Sequence, residues 1–222
     1  MSTVQLYDTT LRDGSQQEGI SFSVEDKLKL CQKLDELGID FIEGGWPGSN
    51  PKDTEFFAQT QNLRLSHSTL VAFGSTRHAN SRAEADSNLQ ALVEAKTRVV
   101  TIVGKAWDKQ VTRVLETTLE ENLSMVADSI SYLKSNGLSV FFDAEHFFDG
   151  YKGNPTYALE VVAAAAKASA ECVVLCDTNG GSLPQQIVTA IKAVQKASSV
   201  PLGIHTHNDA ELAVANSLAA VA

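Results

Sequence analysis

Two histidines placed two residues apart are the first feature of this sequence that suits chemistry. They are His205 and His207, in the segment GIHTHNDAEL at residues 203–212, and the whole chain has five histidines. Residues 200–205 are mostly apolar and favour a β-strand. Side chains i and i+2 of a strand point the same way, so both imidazoles can bind one divalent cation. The alternative is a pair of hydrogen-bonded polar residues at a strand end, since such a short motif is weak evidence alone.

Composition restricts the classes of protein to which the chain can belong. It has 222 residues, of which 43% are hydrophobic and 20% charged, as expected for a soluble globular protein with a sizeable core. The net charge of −9, with both signs interspersed, argues against nucleic acid or an anionic membrane as the main partner. We see no signal peptide and no apolar run of membrane-spanning length. Three cysteines, an odd number, predict a reduced, cytoplasmic protein.

A short apolar run followed by a helical stretch occurs seven times along the chain. The predicted strand and helix pairs are 4–9 with 24–37, 41–44 with 54–60, 69–73 with 84–95, 99–103 with 118–135, 140–144 with 157–168, 172–176 with 184–197, and 202–205 with 210–222. Strands that alternate with helices predict an α/β fold with parallel strands and right-handed crossovers.

Two parallel architectures fit this alternation, an open doubly wound sheet and a (β/α)₈ TIM barrel. The first strand is followed by DTTLRDGSQQ and not by a G-x-G-x-x-G phosphate motif, which favours the barrel. Seven units are one fewer than a closed barrel, whose usual length is about 250 residues. We therefore expect a TIM barrel truncated after its seventh unit, with residues 1–222 as a single domain that is incomplete at its C-terminus.

Charged and polar residues follow the carboxyl ends of the predicted strands. They are Arg12 and Asp13, Glu43, Ser75 and Thr76, Lys105, Glu145 and His146, residues 177–179, and His205 and His207. In a barrel these ends share one face, and that face carries catalysis. The alternative is that strand-to-helix loops are polar in any α/β protein. That alternative explains the serines and asparagines better than the Arg-Asp pair, the two carboxylates and the two histidines.

Five segments in order give the chain a specific resemblance. LYDTTLRDGSQQEG, FIEGGWPGSNPKD, GKAWD, CDTNGG and HTHND together resemble the metal-dependent barrels that carry out Claisen condensations. This family includes the 2-isopropylmalate, homocitrate and citramalate synthases and the HMG-CoA-lyase-like enzymes. The GGWPGSNPKD and GKAWD segments are most similar to the citramalate synthase branch. The resemblance implies an acyltransferase that condenses acetyl-CoA with a small α-keto acid, with pyruvate as first choice, in isoleucine biosynthesis.

The resemblance also implies roles for residues of the predicted face. It assigns a divalent metal (Mg, Mn or Zn) to Asp13, His205 and His207, and a mixed nitrogen and oxygen ligand set does not select among these metals. Arg12 is implied as the catalytic residue that faces the keto oxygen, and Glu43 as the acid that holds Arg12. An ordinary surface salt bridge is the alternative for that pair.

Other implied positions lie at the ends of the fifth and sixth strands. Glu145 and Thr178 match residues that line the keto-acid pocket, with the Thr178 hydroxyl as a donor to the substrate carboxylate. The alternative for Thr178 is an ordinary turn residue. Asp8 and Asp177 either support a ligand or cap turns. We expect Asp209 to be the N-cap of the last helix.

The resemblance places the catalytic base and the CoA-contacting lid after residue 222, and implies a homodimer for the full-length enzyme. A chain that ends after seven units is expected to be marginally stable and to associate through the gap between its first and last strands. Three alternatives stay open: 2-isopropylmalate or homocitrate synthase-like condensation, lyase-type retro-Claisen or aldol cleavage, and an inactive metal-binding fragment.

Overall fold

The computed structural model describes residues 4–222, so residues 1–3 of the predicted domain lie outside it. Seven strands form one sheet in the order of the chain, and every neighbouring pair is parallel. The strands are β1 Tyr7–Asp8, β2 Phe41–Gly45, β3 Thr69–Ser75, β4 Val99–Lys105, β5 Ser139–Glu145, β6 Cys172–Asp177 and β7 Leu202–Thr206. This order confirms the predicted α/β class and its seven units.

The sheet is curled like the wall of a barrel. Five strands lie between β1 and β7 in the sheet order. Nevertheless the side chain of Asp13, just after β1, lies 3.3 Å from the side chain of His205 on β7. Neighbouring strands are separated by about 4.8 Å, so a flat sheet would hold these residues far apart. Only strong curvature brings the two edge strands this close.

Nine α-helices accompany the strands within residues 4–222. They are α1 Val24–Leu37, α2 Pro51–Thr60, α3 Ser87–Glu94, α4 Asp108–Arg113, α5 Leu119–Ser135, α6 Phe147–Gly153, α7 Pro155–Lys167, α8 Pro184–Ala197 and α9 Ala213–Val221. Both α1 and α8 have the bounds that the sequence predicts. None of these helices is long and apolar enough to cross a lipid bilayer.

Local signals explain why α1 was predicted so accurately. The Ser23 hydroxyl accepts a hydrogen bond from the Asp26 N–H, and the Asp26 carboxylate accepts one from the Ser23 N–H, which makes a capping box. At the other end Gly38 adopts φ +87°, the left-handed conformation that glycine reaches without steric cost. Both ends of the helix are therefore encoded within a few residues.

The structure corrects the sequence prediction at two short helices, at the first strand and at the last helix. Helices α4 and α6 were not predicted, because six or seven residues are too few to show a helical period. The first strand is much shorter than residues 4–9. The last helix begins at Ala213 and not at residue 210. Asp209 is not its N-cap, because Asn208 accepts the hydrogen bond from the Ala213 N–H.

Alternate residues of the sheet face two different environments. Fully buried apolar side chains, such as Ile42, Ile102, Phe142 and Leu175, belong to one core together with side chains of the surrounding helices. The intervening positions point to the inner side of the curled sheet because side chains alternate along a strand. Buried polar residues occupy several of those positions, among them Glu43, Thr101 and Asp143.

A buried ion pair joins the first two helices to the end of β2. The Lys27 ammonium on α1 pairs with the Asp53 carboxylate on α2 and also donates to the Gly44 carbonyl at 2.9 Å. The other Asp53 oxygen accepts from the Trp46 N–H at 2.8 Å. Gly45 has φ +148°, and a Cβ there would clash with the Asp53 carboxyl group. This pair fixes the backbone directly after Glu43.

We expect Lys27→Met to lower the free energy of unfolding by about 3–5 kcal/mol, because it leaves the Asp53 carboxylate buried without its cation. Adding Asp53→Asn to that variant should recover part of the loss, since a neutral amide still accepts from Trp46. Lys33→Met, which removes an exposed pair with Glu36, is the control and should cost less than about 1 kcal/mol. Equal losses in urea denaturation for Lys27→Met and Lys33→Met would contradict this account.

Candidate active site

Glu43 lies at the centre of the candidate site, on the inner side of β2, and its side chain is fully buried. The Arg12 Nε donates to Glu43 Oε1 at 2.5 Å, and the Tyr7 hydroxyl donates to Glu43 Oε2 at 2.5 Å. The Tyr7 hydroxyl also lies 2.7 Å from Thr101 Oγ1 on β4. Both carboxylate oxygens thus have a donor. The Arg12–Glu43 pair is an interior pair and not a surface salt bridge.

Three groups hold the Arg12 guanidinium in one orientation. Besides Glu43, the Asp13 carboxylate accepts from Arg12 Nη1 at 3.0 Å, and the Phe73 ring centre lies 3.9 Å from the guanidinium carbon. Burial lowers the pKa of Arg12, but the nearby carboxylates of Glu43 and Asp13 outweigh it and raise that pKa above its ordinary value. Arg12 is therefore permanently charged, and its Nη2 has no acceptor among residues 4–222.

Asp13, His205 and His207 come together where β1 and β7 end. Asp13 Oδ2 lies 3.3 Å from His205 Nε2 and 3.4 Å from His207 Nε2. Hydrogen bonds from the two imidazoles hold the pKa of Asp13 well below its usual range, and the same contact with Asp13 raises the pKa of His207. One donor atom from each residue lies within 4.8 Å of the others.

This donor set fits a divalent cation. Two imidazole nitrogens and one carboxylate oxygen are a common combination for first-row divalent metals, and three protein ligands leave coordination positions open for a substrate. The Asp13 carboxylate also contacts Arg12 through its other oxygen. A cation at these residues would therefore lie beside the guanidinium, with the Asp13 carboxylate between the two positive charges.

Glu145 and Thr178, the two residues predicted to line the keto-acid pocket, lie at the carboxyl ends of β5 and β6. Each of them makes a contact with a neighbouring residue of the protein. The Glu145 carboxylate is paired with the Lys105 ammonium. Thr178 Oγ1 accepts a hydrogen bond from the His146 N–H at 2.9 Å and so stabilises the turn that follows β5. The Thr178 hydroxyl hydrogen stays available as a donor.

Asp8 and Asp177 cap turns. Of the two roles that the sequence left open, supporting a ligand or capping a turn, the structure favours the second. Asp8 accepts from the N–H and the hydroxyl of Thr10, both at 3.0 Å. Asp177 accepts from the Ser182 hydroxyl at 2.8 Å and from the Ser182 N–H at 3.2 Å. The carboxylate oxygens of Asp8 and Asp177 are thus bonded to residues of their own turns.

Sequence reasoning missed several interior residues of the site, namely Tyr7, Thr101 and Asp143, and the buried Cys176 lies beside Asp143. Burial, aided by the charge of Glu43, raises the pKa of Asp143 to about 7. Burial likewise raises the pKa of the Cys176 thiol well above its ordinary value. The one available signal was Asp143 itself, an acidic residue within the otherwise apolar run VFFDA.

Residues 3–222 match the sequence profile of the HMGL-like family. The chain belongs to the HMGL-like family. It is 58% identical over 221 residues to the Geobacter sulfurreducens protein named (R)-citramalate synthase, in an alignment that covers 100% of this chain and 42% of that protein. It is 33% identical over 218 residues to the Methanosarcina acetivorans protein named probable 2-isopropylmalate synthase, covering 98% of this chain and 40% of that protein.

The fold of this HMGL-like chain also matches solved structures. The crystal structure of hydroxymethylglutaryl-CoA lyase from Pseudomonas aeruginosa superposes with a TM-score of 0.80 at 22% identity, covering 98% of this chain and 72% of that chain. The fold prediction is thereby confirmed. The chain spans about 42% of the length of the Geobacter relative, so the alignment compares this chain with less than half of that protein.

We expect Tyr7→Phe to lower the free energy of unfolding by about 1–3 kcal/mol, because the fully buried Glu43 carboxylate loses one of its two donors. Tyr132→Phe on α5 removes the same hydroxyl far from Glu43 and is the matched control. Chemical denaturation of both variants measures the difference. If the two variants were equally stable, Tyr7 would not hold Glu43.

Proposed function

We propose that this chain is the metal-binding catalytic domain of a citramalate synthase, an acetyl-CoA-dependent acyltransferase that condenses acetyl-CoA with pyruvate. The observation that carries the proposal is the 58% identity over 221 residues to a protein of that name, against 33% to one named probable 2-isopropylmalate synthase. The arrangement of Arg12, Asp13, His205 and His207 supports it, since it offers the charges and donors that an α-keto acid needs.

The reaction forms one carbon–carbon bond and breaks one thioester. A base removes a proton from the acetyl methyl group, and the resulting carbon attacks the keto carbon of pyruvate. The keto oxygen becomes an alkoxide and takes up a proton. Water then hydrolyses the thioester, which releases CoA and citramalate. The negative charge that develops on the keto oxygen is what the site must stabilise.

Asp13, His205 and His207 would hold a divalent cation such as Mg²⁺, Mn²⁺ or Zn²⁺. When bound, such a cation supplies a Lewis acid that polarises a coordinated keto group. Arg12 would direct its free Nη2 donor at the developing alkoxide, while Glu43, Tyr7 and Phe73 keep the guanidinium plane fixed. A donor held in place before the reaction needs no reorganisation as charge develops.

We further propose that Glu145 and Thr178 line the keto-acid pocket. The Thr178 oxygen already accepts from His146, so its hydroxyl hydrogen is the atom that would donate to the substrate carboxylate. Glu145 would act together with Lys105, with which it is paired. The cation of Lys105 offers a partner for an anionic substrate group at the same edge of the sheet.

A thiol-release assay on the full-length protein that contains this chain tests the activity. Acetyl-CoA is supplied with either pyruvate or 2-oxoisovalerate, and free CoA is measured. Release with pyruvate alone supports the proposal, whereas release with 2-oxoisovalerate alone points to 2-isopropylmalate formation. No release with either acid, in a protein that binds Mn²⁺, overturns the condensation and leaves a lyase or a binding role.

We expect Asp13→Ala, His205→Ala and His207→Ala each to abolish tight Mn²⁺ binding while the protein stays folded. Each variant removes one of three ligands, and the remaining pair has too few donors to compete with water for the ion. His67→Ala, which changes an exposed histidine outside the site, is the control. Calorimetric titration with Mn²⁺ measures the affinity, and unchanged values in all three variants would refute the metal assignment.

We expect Arg12→Lys to lower kcat on the order of a hundredfold or more, without changing Mn²⁺ affinity. Lysine keeps the positive charge but lacks the planar fork that donates to Glu43, Asp13 and the substrate oxygen simultaneously. Arg82→Lys, at an exposed arginine, is the matched control. A rate for Arg12→Lys within twofold of the wild type would show that Arg12 has a structural role only.

A further inference from the structure

A second group of metal-binding atoms lies on the inner wall of the sheet, next to the first. Asp143 on β5, Cys176 on β6 and His205 on β7 each place one ligand atom within 4.8 Å of the other two. Cys176 and His205 are direct partners in the ladder between β6 and β7, so their side chains point to the same side. Three adjacent rigid strands therefore position these donors.

Asp143 is an almost fully buried acidic residue on the inner wall of the sheet. It is 6% exposed, and it accepts no hydrogen bond from any of residues 4–222. Burying a polar group without a partner costs free energy, and native structures pair such groups almost without exception. A cation bound between Asp143 and Cys176 would give the Asp143 carboxyl group a partner of opposite charge.

The donor types indicate which cation this would be. A thiolate is a soft ligand that selects Zn²⁺ and similar ions over Mg²⁺, and imidazole and carboxylate complete a common zinc ligand set. We propose that Asp143, Cys176 and His205 form a second cation site, specific for thiophilic divalent ions such as Zn²⁺ and Co²⁺. On binding, the Cys176 thiol releases its proton to solvent and its sulfur forms a bond to the cation.

The second site shares His205 with the set formed by Asp13, His205 and His207, but it differs from that set in its chemistry. The first set offers no sulfur ligand, whereas the second depends on one. A signal that arises only from a metal–sulfur bond therefore reports the second site alone. This difference separates the test of the second site from the test of the proposed function.

Titration of the full-length protein with Co²⁺, followed by absorption spectroscopy, tests the proposal. A sulfur-to-cobalt charge-transfer band should appear in the near ultraviolet for the wild type and disappear in Cys176→Ser. Cys172→Ser, which changes the other cysteine of the same strand, should keep the band. Asp13→Ala should also keep it, because Asp13 is not a ligand of this site, even though that variant loses tight Mn²⁺ binding.

The proposal is overturned if the wild type shows no band, if the band persists in Cys176→Ser, or if Cys172→Ser loses it. Should circular dichroism show that Cys176→Ser is unfolded, X-ray absorption of the Zn²⁺-loaded Cys172→Ser protein decides instead. A sulfur neighbour at about 2.3 Å supports the site. A first shell of nitrogen and oxygen alone refutes it.

Discussion

A buried carboxylate must keep its hydrogen-bond donors, and in this chain the rest of the candidate site depends on how Glu43 meets that constraint. Its two oxygens are bonded to Arg12 and Tyr7, which both come from the region of β1. In the part of the chain that the structure describes, two residue pairs join β1 to β2 in the ladder. The side-chain bonds of Arg12 and Tyr7 to Glu43 therefore contribute much of the attachment of the first strand to the sheet. The bond from Arg12 also orients its guanidinium toward Asp13.

The alternation of side chains along a strand gives the two faces of the sheet different contents. Residues that face the helices, such as Ile42 and Phe142, form the apolar core. Their neighbours in sequence, Glu43 and Asp143, face the inside of the curled sheet. A change on the inner face therefore alters the site without opening a cavity in the core. Polar groups accumulate on the inner face because partners on opposite strands are within reach there.

Most of the architecture could be predicted from the sequence because its signals are local. The seven strand and helix pairs follow from hydrophobic periodicity, and the ends of α1 follow from Ser23, Asp26 and Gly38. Helices α4 and α6 lack such signals and were missed. The contacts of Arg12 with Glu43 and of Asp13 with the two histidines follow because the carboxyl ends of parallel strands lie on the same face of a barrel. The catalytic and metal-binding roles of these residues, the homodimer and the cytoplasmic location stay predictions.

The inner residues of the site could not be predicted, for a different physical reason. Tyr7, Thr101 and Asp143 lie within strands, where a sequence pattern does not show which side faces the helices and which faces the inside. Which side of a strand faces the inside depends on how the sheet curves, and that curvature is a property of all seven strands together. Asp143 in an apolar run signals an inward position only once a curled sheet is assumed.

The charges that meet at this edge of the sheet explain why Asp13 lies between Arg12 and the histidines. A guanidinium and a divalent cation repel each other, and the Asp13 carboxylate between them reduces that repulsion. Under the proposed function, and counting only the cation, Arg12 and the carboxylates in direct contact with them, the cation and Arg12 bring three positive charges, and Asp13 and Glu43 bring two negative ones. One positive charge is left over, which a keto-acid carboxylate with a single negative charge neutralises. A neutral keto compound would leave that charge uncompensated in a partly buried site, so the local charges themselves favour an anionic substrate.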